Sequence, residues 1–245
     1  MLLFKYFLKR YSLWLLLGVT VLLGTTQVWK DLPPPQMNFV RMVEVIGSAL
    51  AVIPISIILF EPTEIELGLA CGIRTDRFAF TRLAPCLLYT IIPATVIAAL
   101  GHYVPKLTDP DTIGVIPLYI PDNYRVCMVI SAAVTVLFFA SLTFFLRVAI
   151  RNCLVAFVGG LITIMGGTTI SAFVIGGKFH PLFSYANPFI SFYFLGDHVG
   201  NAFSQLGLQS VWTINRISFF VLSLVLLGVS YLLLRRERLH EAQEN

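Results

Sequence analysis

The residues of this chain whose types could do chemistry are four histidines, four cysteines and a single acid inside an apolar run. Their spacing argues against most of it. His102, His180 and His198 stand between apolar runs and His240 in the tail, and none pairs with a carboxylate at metal-ligand spacing. Asp197 and His198 are neighbours, which turns their side chains apart on a regular helix. No H-E-x-x-H or G-x-S-x-G occurs, so no catalytic or metal-binding set is assigned and an enzyme at the outer face is disfavoured. Cys86, Cys127 and Cys153 lie in or beside apolar runs and Cys71 in a charged stretch; they read as small buried hydrophobes rather than redox centres. The acid is Glu44. A charge at the centre of a span costs roughly 2.5 to 3.5 kcal/mol and is kept for a reason. Two reasons are open: neutralising Arg41 at the interface, or facing a substrate path. An ion relay through the membrane is poorly supported.

The elements that must position these residues follow from composition. Of 245 residues 57% are hydrophobic and 12% charged, about half the charge of a soluble domain, and the mean hydropathy is +0.84. The expected fold is therefore all-α: a single polytopic transmembrane domain over residues 1–245, with no nucleic-acid binding and lipid as its solvent. A span needs roughly 20 apolar residues. Six segments qualify: Ser12–Val28, Met42–Phe60, Leu83–Leu100, Val126–Leu146, Leu154–Ile175 and Ile217–Leu234. The first has no small-x-small cleavage site and is expected to stay as a span.

An even number of spans puts both termini on one side, and the basic residues decide which. With the N-terminus inside, Lys5, Lys9, Arg10, Arg74, Arg77, Arg82, Arg147, Arg151, Arg235, Arg236 and Arg238 are cytoplasmic. Lys30, Arg41, Lys106, Arg125, Lys178 and Arg216 are then outside. The balance predicts N-in and C-in. Leu2 to Arg10 reads equally as an amphipathic turn on the inner leaflet or as the positive flank of the first span.

That orientation makes Glu61–Pro85 cytoplasmic. Thr63 and Glu66 have capping-box spacing, and Glu64 and Glu66 suit the positive end of a helix dipole, so a helix is predicted just after Pro62. Gly72 weakens it, and Thr75 caps a second piece, "DRFAFTRL", which carries Arg77 and Arg82 to the mouth of the third span. Ile65, Leu67, Leu69, Ile73, Phe78 and Phe80 alternate with charges. Such a surface docks a cytoplasmic partner or rests on lipid; docking is preferred. Outside, "KDLPPPQMNFVR" is too proline-rich for a helix at its start, and residues 102–123 read as an irregular loop. Residues 176–216 are aromatic and interrupted by Pro181, Pro188, Gly196 and Gly200, which predicts re-entrant or interfacial outer helices before the sixth span.

In the fifth span Gly159 and Gly160 recur seven residues on as Gly166 and Gly167, on roughly one face, followed by Thr168, Thr169 and Ser171. Close helix packing is the first reading, a pathway lining the second. Ser48, Pro54 and Ser56 could loosen or hydrate the second span. With so few polar groups, a lipid, hydrophobic peptide or amphipathic drug-like substrate suits the chain better than a sugar or an ion.

With its six N-in spans and an E-x-x-x-G stretch followed by basic residues, in which Glu64, Gly68, Arg77 and Arg82 occupy matching places, the chain resembles the membrane subunit of an ABC-type-2 transporter. The broken outer segment with Pro181 and then Asn187–Pro188 is also similar. The resemblance implies a coupling helix between spans two and three, with Glu64, Glu66, Leu67, Gly68, Leu69, Arg77, Phe78 and Arg82 contacting an ATP-binding subunit. It implies a subunit interface or pathway at Ser48, Pro54, Ser56, Gly159, Gly166, Thr168 and Thr169, and an outer gate at Pro181, Asn187 and Pro188. It implies pairing with a second permease copy or a sibling, in the plasma or inner membrane. No G-x-x-x-x-G-K-S/T phosphate loop occurs, so ATP and Mg are expected in the partner P-loop subunit and no cofactor in this chain. The competing expectation is an ATP-independent secondary transporter or immunity protein; against the former, no internal repeat is visible.

Overall fold

A computed structural model describes residues 35–57, 75–100, 122–174, 185–189 and 208–244. These residues form α1 (Pro35–Ile57), α2 (Thr75–Leu100), α3 (Asp122–Ile150), α4 (Cys153–Val174) and α5 (Leu208–Glu244), with no strand among them. The described residues are all-helical, as expected. Three helices are long and apolar enough to cross a membrane, over Arg77–Val96, Val129–Ile150 and Trp212–Arg236; at 1.5 Å per residue each matches a hydrocarbon core about 30 Å thick. Val43–Ser56 and Cys153–Thr168 are shorter apolar helices. The expected first span, Ser12–Val28, lies outside the described residues.

Several expected boundaries move, each for a local reason. α1 starts at Pro35, inside the stretch read as too proline-rich. Proline is welcome in a first turn, where its missing N–H would have had no helical partner. The "DRFAFTRL" piece is not a separate surface helix but the opening turns of α2, which runs unbroken from Thr75 and carries Pro85 and Pro93 inside it. α5 begins at Leu208, so part of the segment read as broken is helical: after Gly207 neither glycine nor proline interrupts the chain until Gly228.

α3 is the hub. It packs against α1, α2, α4 and α5, and 61% of its spanning window is buried against 22% for α5. Alanines do much of this: Ala132 and Ala140 of α3 meet Ala51 of α1 and Ala79, Ala94 and Ala98 of α2 in one buried cluster. Small side chains let helix backbones approach closely where lipid offers no hydrophobic drive. Hydroxyls are satisfied at home: Ser56, Thr90, Thr143, Thr163, Ser223 and Ser230 each donate to the carbonyl four residues earlier.

α3 and α4 are joined through Arg151 and Asn152. Arg151 adopts the left-handed conformation, φ 59°, and its N–H donates to the Arg147 carbonyl at 3.2 Å, which closes α3 with a left-handed cap. Asn152 then starts α4: its Oδ1 accepts from the Leu154 and Val155 N–H groups at 2.9 and 3.2 Å. Asn152→Ala is expected to cost about 1 kcal/mol, and Asn152→Asp to keep the cap. Melting of both variants in detergent checks this.

Candidate functional site

Glu44, Arg82 and Arg216 are charged side chains buried among the described residues. Arg216, two turns into α5, is the centre of the largest polar cluster among the described residues. Its Nε and Nη2 donate to Asn215 Oδ1 at 3.0 and 2.7 Å. Nη2 also donates to the Pro188 carbonyl at 2.7 Å. Nη1 donates to Thr135 Oγ1 at 2.9 Å and to the Ser131 carbonyl at 3.4 Å. A guanidinium carries five N–H donors, and these contacts occupy them all.

The neighbours are equally engaged. Asn215 Nδ2 donates to the Tyr185 and Asn187 carbonyls, both at 2.9 Å. Thr135 accepts from Arg216 and offers its own proton to the Pro188 carbonyl at 3.1 Å or to Glu44 Oε1 at 3.4 Å. Trp212, one turn before Arg216, donates its indole N–H to Ser131 Oγ at 3.0 Å. The Glu44 carboxylate acts electrostatically on Arg216. The side chain of Arg41 lies outside the described residues; Arg216, which Glu44 acts on, is a residue that the sequence put in an outer connection.

The backbone held here is Tyr185–Phe189. Asn187 Oδ1 accepts the Phe189 N–H at 2.9 Å, an Asx turn made by the Asn-Pro pair. The turn drives Phe189 into the bundle, fully buried, where it stacks on Phe139 of α3 with ring centroids 5.3 Å apart. Gly167 of α4 makes room: a Cβ there would stand 2.9 Å from the Phe189 ring.

The glycine face of α4 is thus unequal. A Cβ at Gly160 would meet Thr143 Oγ1 at 2.8 Å and Val52 Cγ1 at 2.9 Å, one at Gly159 would meet Leu146 at 3.1 Å, and one at Gly166 would meet nothing within 4 Å among the described residues. Gly166→Ala is therefore expected to keep or raise the melting temperature, since alanine favours a helix over glycine by about 1 kcal/mol; a fall in melting temperature would contradict the open space.

The other sequence-predicted residues divide three ways. Glu64, Glu66, Leu67, Gly68, Leu69 and Pro181 lie outside the described residues. Arg77 is exposed, whereas Phe78 and Arg82 face the bundle: Phe78 packs in one cluster with Phe144, Val148 and Leu234, and the Arg82 guanidinium lies 4.9 Å from the Phe78 ring centre. This corrects their expected place on a cytoplasmic surface; once "DRFAFTRL" is continuous with α2, its apolar side turns inward. Ser48, Pro54 and Ser56 are buried on α1, and Ser48 Oγ has no hydrogen-bond partner among the described residues. The Thr168 hydroxyl donates to the Met165 carbonyl, and the Thr169 side chain is not described. Asn187 and Pro188 are in the cluster. Of the cysteines, Cys86 is buried and Cys153 exposed, so burial is not common to them.

Sequence reasoning missed Trp212, Asn215 and Arg216 because the apolar window of the last span opens just after them. The signal was present: Asn-Arg at the head of an uninterrupted apolar run is a costly pair to bury. No group of three or more metal-ligating side chains occurs among the described residues. No protein-family model, curated protein or solved structure matches the chain.

Proposed function

We propose that the chain is the permease subunit of an ATP-driven ABC exporter, with six spans, both termini cytoplasmic, and ATP hydrolysed with Mg by a separate P-loop subunit. The observation that carries this reading is the Tyr185–Phe189 segment, in which helical Tyr185 and Ala186 give way to a turn at Asn187–Phe189. Irregular backbone among apolar helices is tolerated only where protein or a water-filled cavity covers its polar groups, and here Asn215, Arg216 and Thr135 do so. A broken, inserted segment ahead of the last span is what the resemblance to ABC-type-2 permeases implies.

The arginines support the orientation. Phe80 of α2 contacts Phe144 of α3 and Tyr231 of α5, so the start of α2 and the ends of α3 and α5 share one end of the bundle. Exposed Arg77, Arg151, Arg235 and Arg236 belong to that end, which the positive-inside rule assigns to the cytoplasm. The apolar interior suits a lipid, hydrophobic peptide or amphipathic drug-like cargo.

Purification in mild detergent with mass spectrometry and an ATPase assay tests the proposal. A stoichiometric P-loop ATPase is expected, and Leu67→Glu with Leu69→Glu should release it without lowering the melting temperature of the chain. Phe78 is unsuitable for this test, because a charge there would break the core. A chain that purifies alone, without ATPase activity, under conditions that keep such complexes together would favour an ATP-independent secondary transporter or immunity protein.

A further inference from the structure

We propose that Asn215 and Arg216 are a latch through which α5 holds the Tyr185–Phe189 segment in the bundle, and that this segment separates as a unit before the helices do. The inference does not depend on what the protein transports.

The segment is unevenly attached. Three of its five carbonyls, those of Tyr185, Asn187 and Pro188, take hydrogen bonds from the adjacent pair Asn215–Arg216. Pro188 receives a further one from Thr135. Phe189 is its buried aromatic anchor, while Tyr185 and Ala186 are exposed. The polar attachment is therefore concentrated on one turn of α5, while Phe189, stacked on Phe139, and the Thr135 contact tie the segment to α3.

Of the three spanning windows that of α5 is the least buried, 22% against 39% for α2 and 61% for α3. Hydrogen bonds in an apolar interior are cooperative and costly to leave half-made, so loss of one carbonyl contact favours loss of the others together.

Asn215 and Arg216 act here as positioning residues, and backbone hydrogen exchange of the full-length protein in detergent reads their effect directly. In the wild type, the amides of Tyr185, Ala186, Asn187 and Phe189 should exchange at least tenfold faster than those of 131–148 in α3. Asn215→Ala should speed exchange at 185–189 by a further tenfold or more and leave 131–148 unchanged. Ser230→Ala, whose hydroxyl serves only its own helix, is the control and should alter neither. The proposal is overturned if the segment exchanges only together with α3 in the wild type, if Asn215→Ala deprotects both in step, or if the control matches Asn215→Ala.

Discussion

Arg216→Met is expected to lower stability by about 3 to 5 kcal/mol, the usual cost of stripping one member from a buried charged pair. The arithmetic is that of abandoned partners. Glu44 keeps a charge in the bundle without the guanidinium it acts on electrostatically, and the Pro188 carbonyl and Asn215 Oδ1 lose their shortest donors. For a chain of this length the fall in melting temperature should be on the order of 10 °C, or the variant should fail to accumulate. Adding Glu44→Leu removes the stranded charge and should recover part of the loss, because paired removal is far cheaper than single removal. Strict additivity of the two changes in detergent melts would show that Glu44 and Arg216 are uncoupled.

Gly160→Leu should do comparable damage by a different route. Its first side-chain atom would already fall 2.8 Å from Thr143 Oγ1 and 2.9 Å from Val52 Cγ1. Both neighbours are β-branched, stiff at χ1, and buried where α1, α3 and α4 meet. Overpacking by even a few atoms costs about 1 to 3 kcal/mol, and the remaining leucine carbons have nowhere to go without separating the helices. Gly160→Ala should sit at the lower end of that range. If Gly160→Leu melts with the wild type, α1 does not lie against α4 at this height.

What the sequence made legible follows from which physical signal is local. Apolar length marked α2, α3 and α5, since a 20-residue greasy run has few other uses. The glycine repeat of α4 announced close packing through its period alone. Which glycine meets what was not visible: Gly160 and Gly167 face neighbours and Gly166 open space, a distinction of about one residue's rotation that only tertiary packing sets. The start of α2 misled because a capping threonine reads the same whether it opens a surface helix or a span. Arg216 was hidden for a deeper reason. Its burial depends on carbonyls contributed 28 residues earlier and on Thr135, 81 residues away, and no window along the chain contains such partners.

The two-residue turn at Arg151 and Asn152 bears on how the bundle moves. Two residues reach at most about 7 Å, and here both are committed, one to closing α3 and the other to opening α4. The two helix ends are held at one depth, so α4 has no piston stroke against α3. Because α3 touches every other described helix, it serves as their keel with α4 bolted alongside, and among the described helices sliding or tilting is left to α1, α2 and α5.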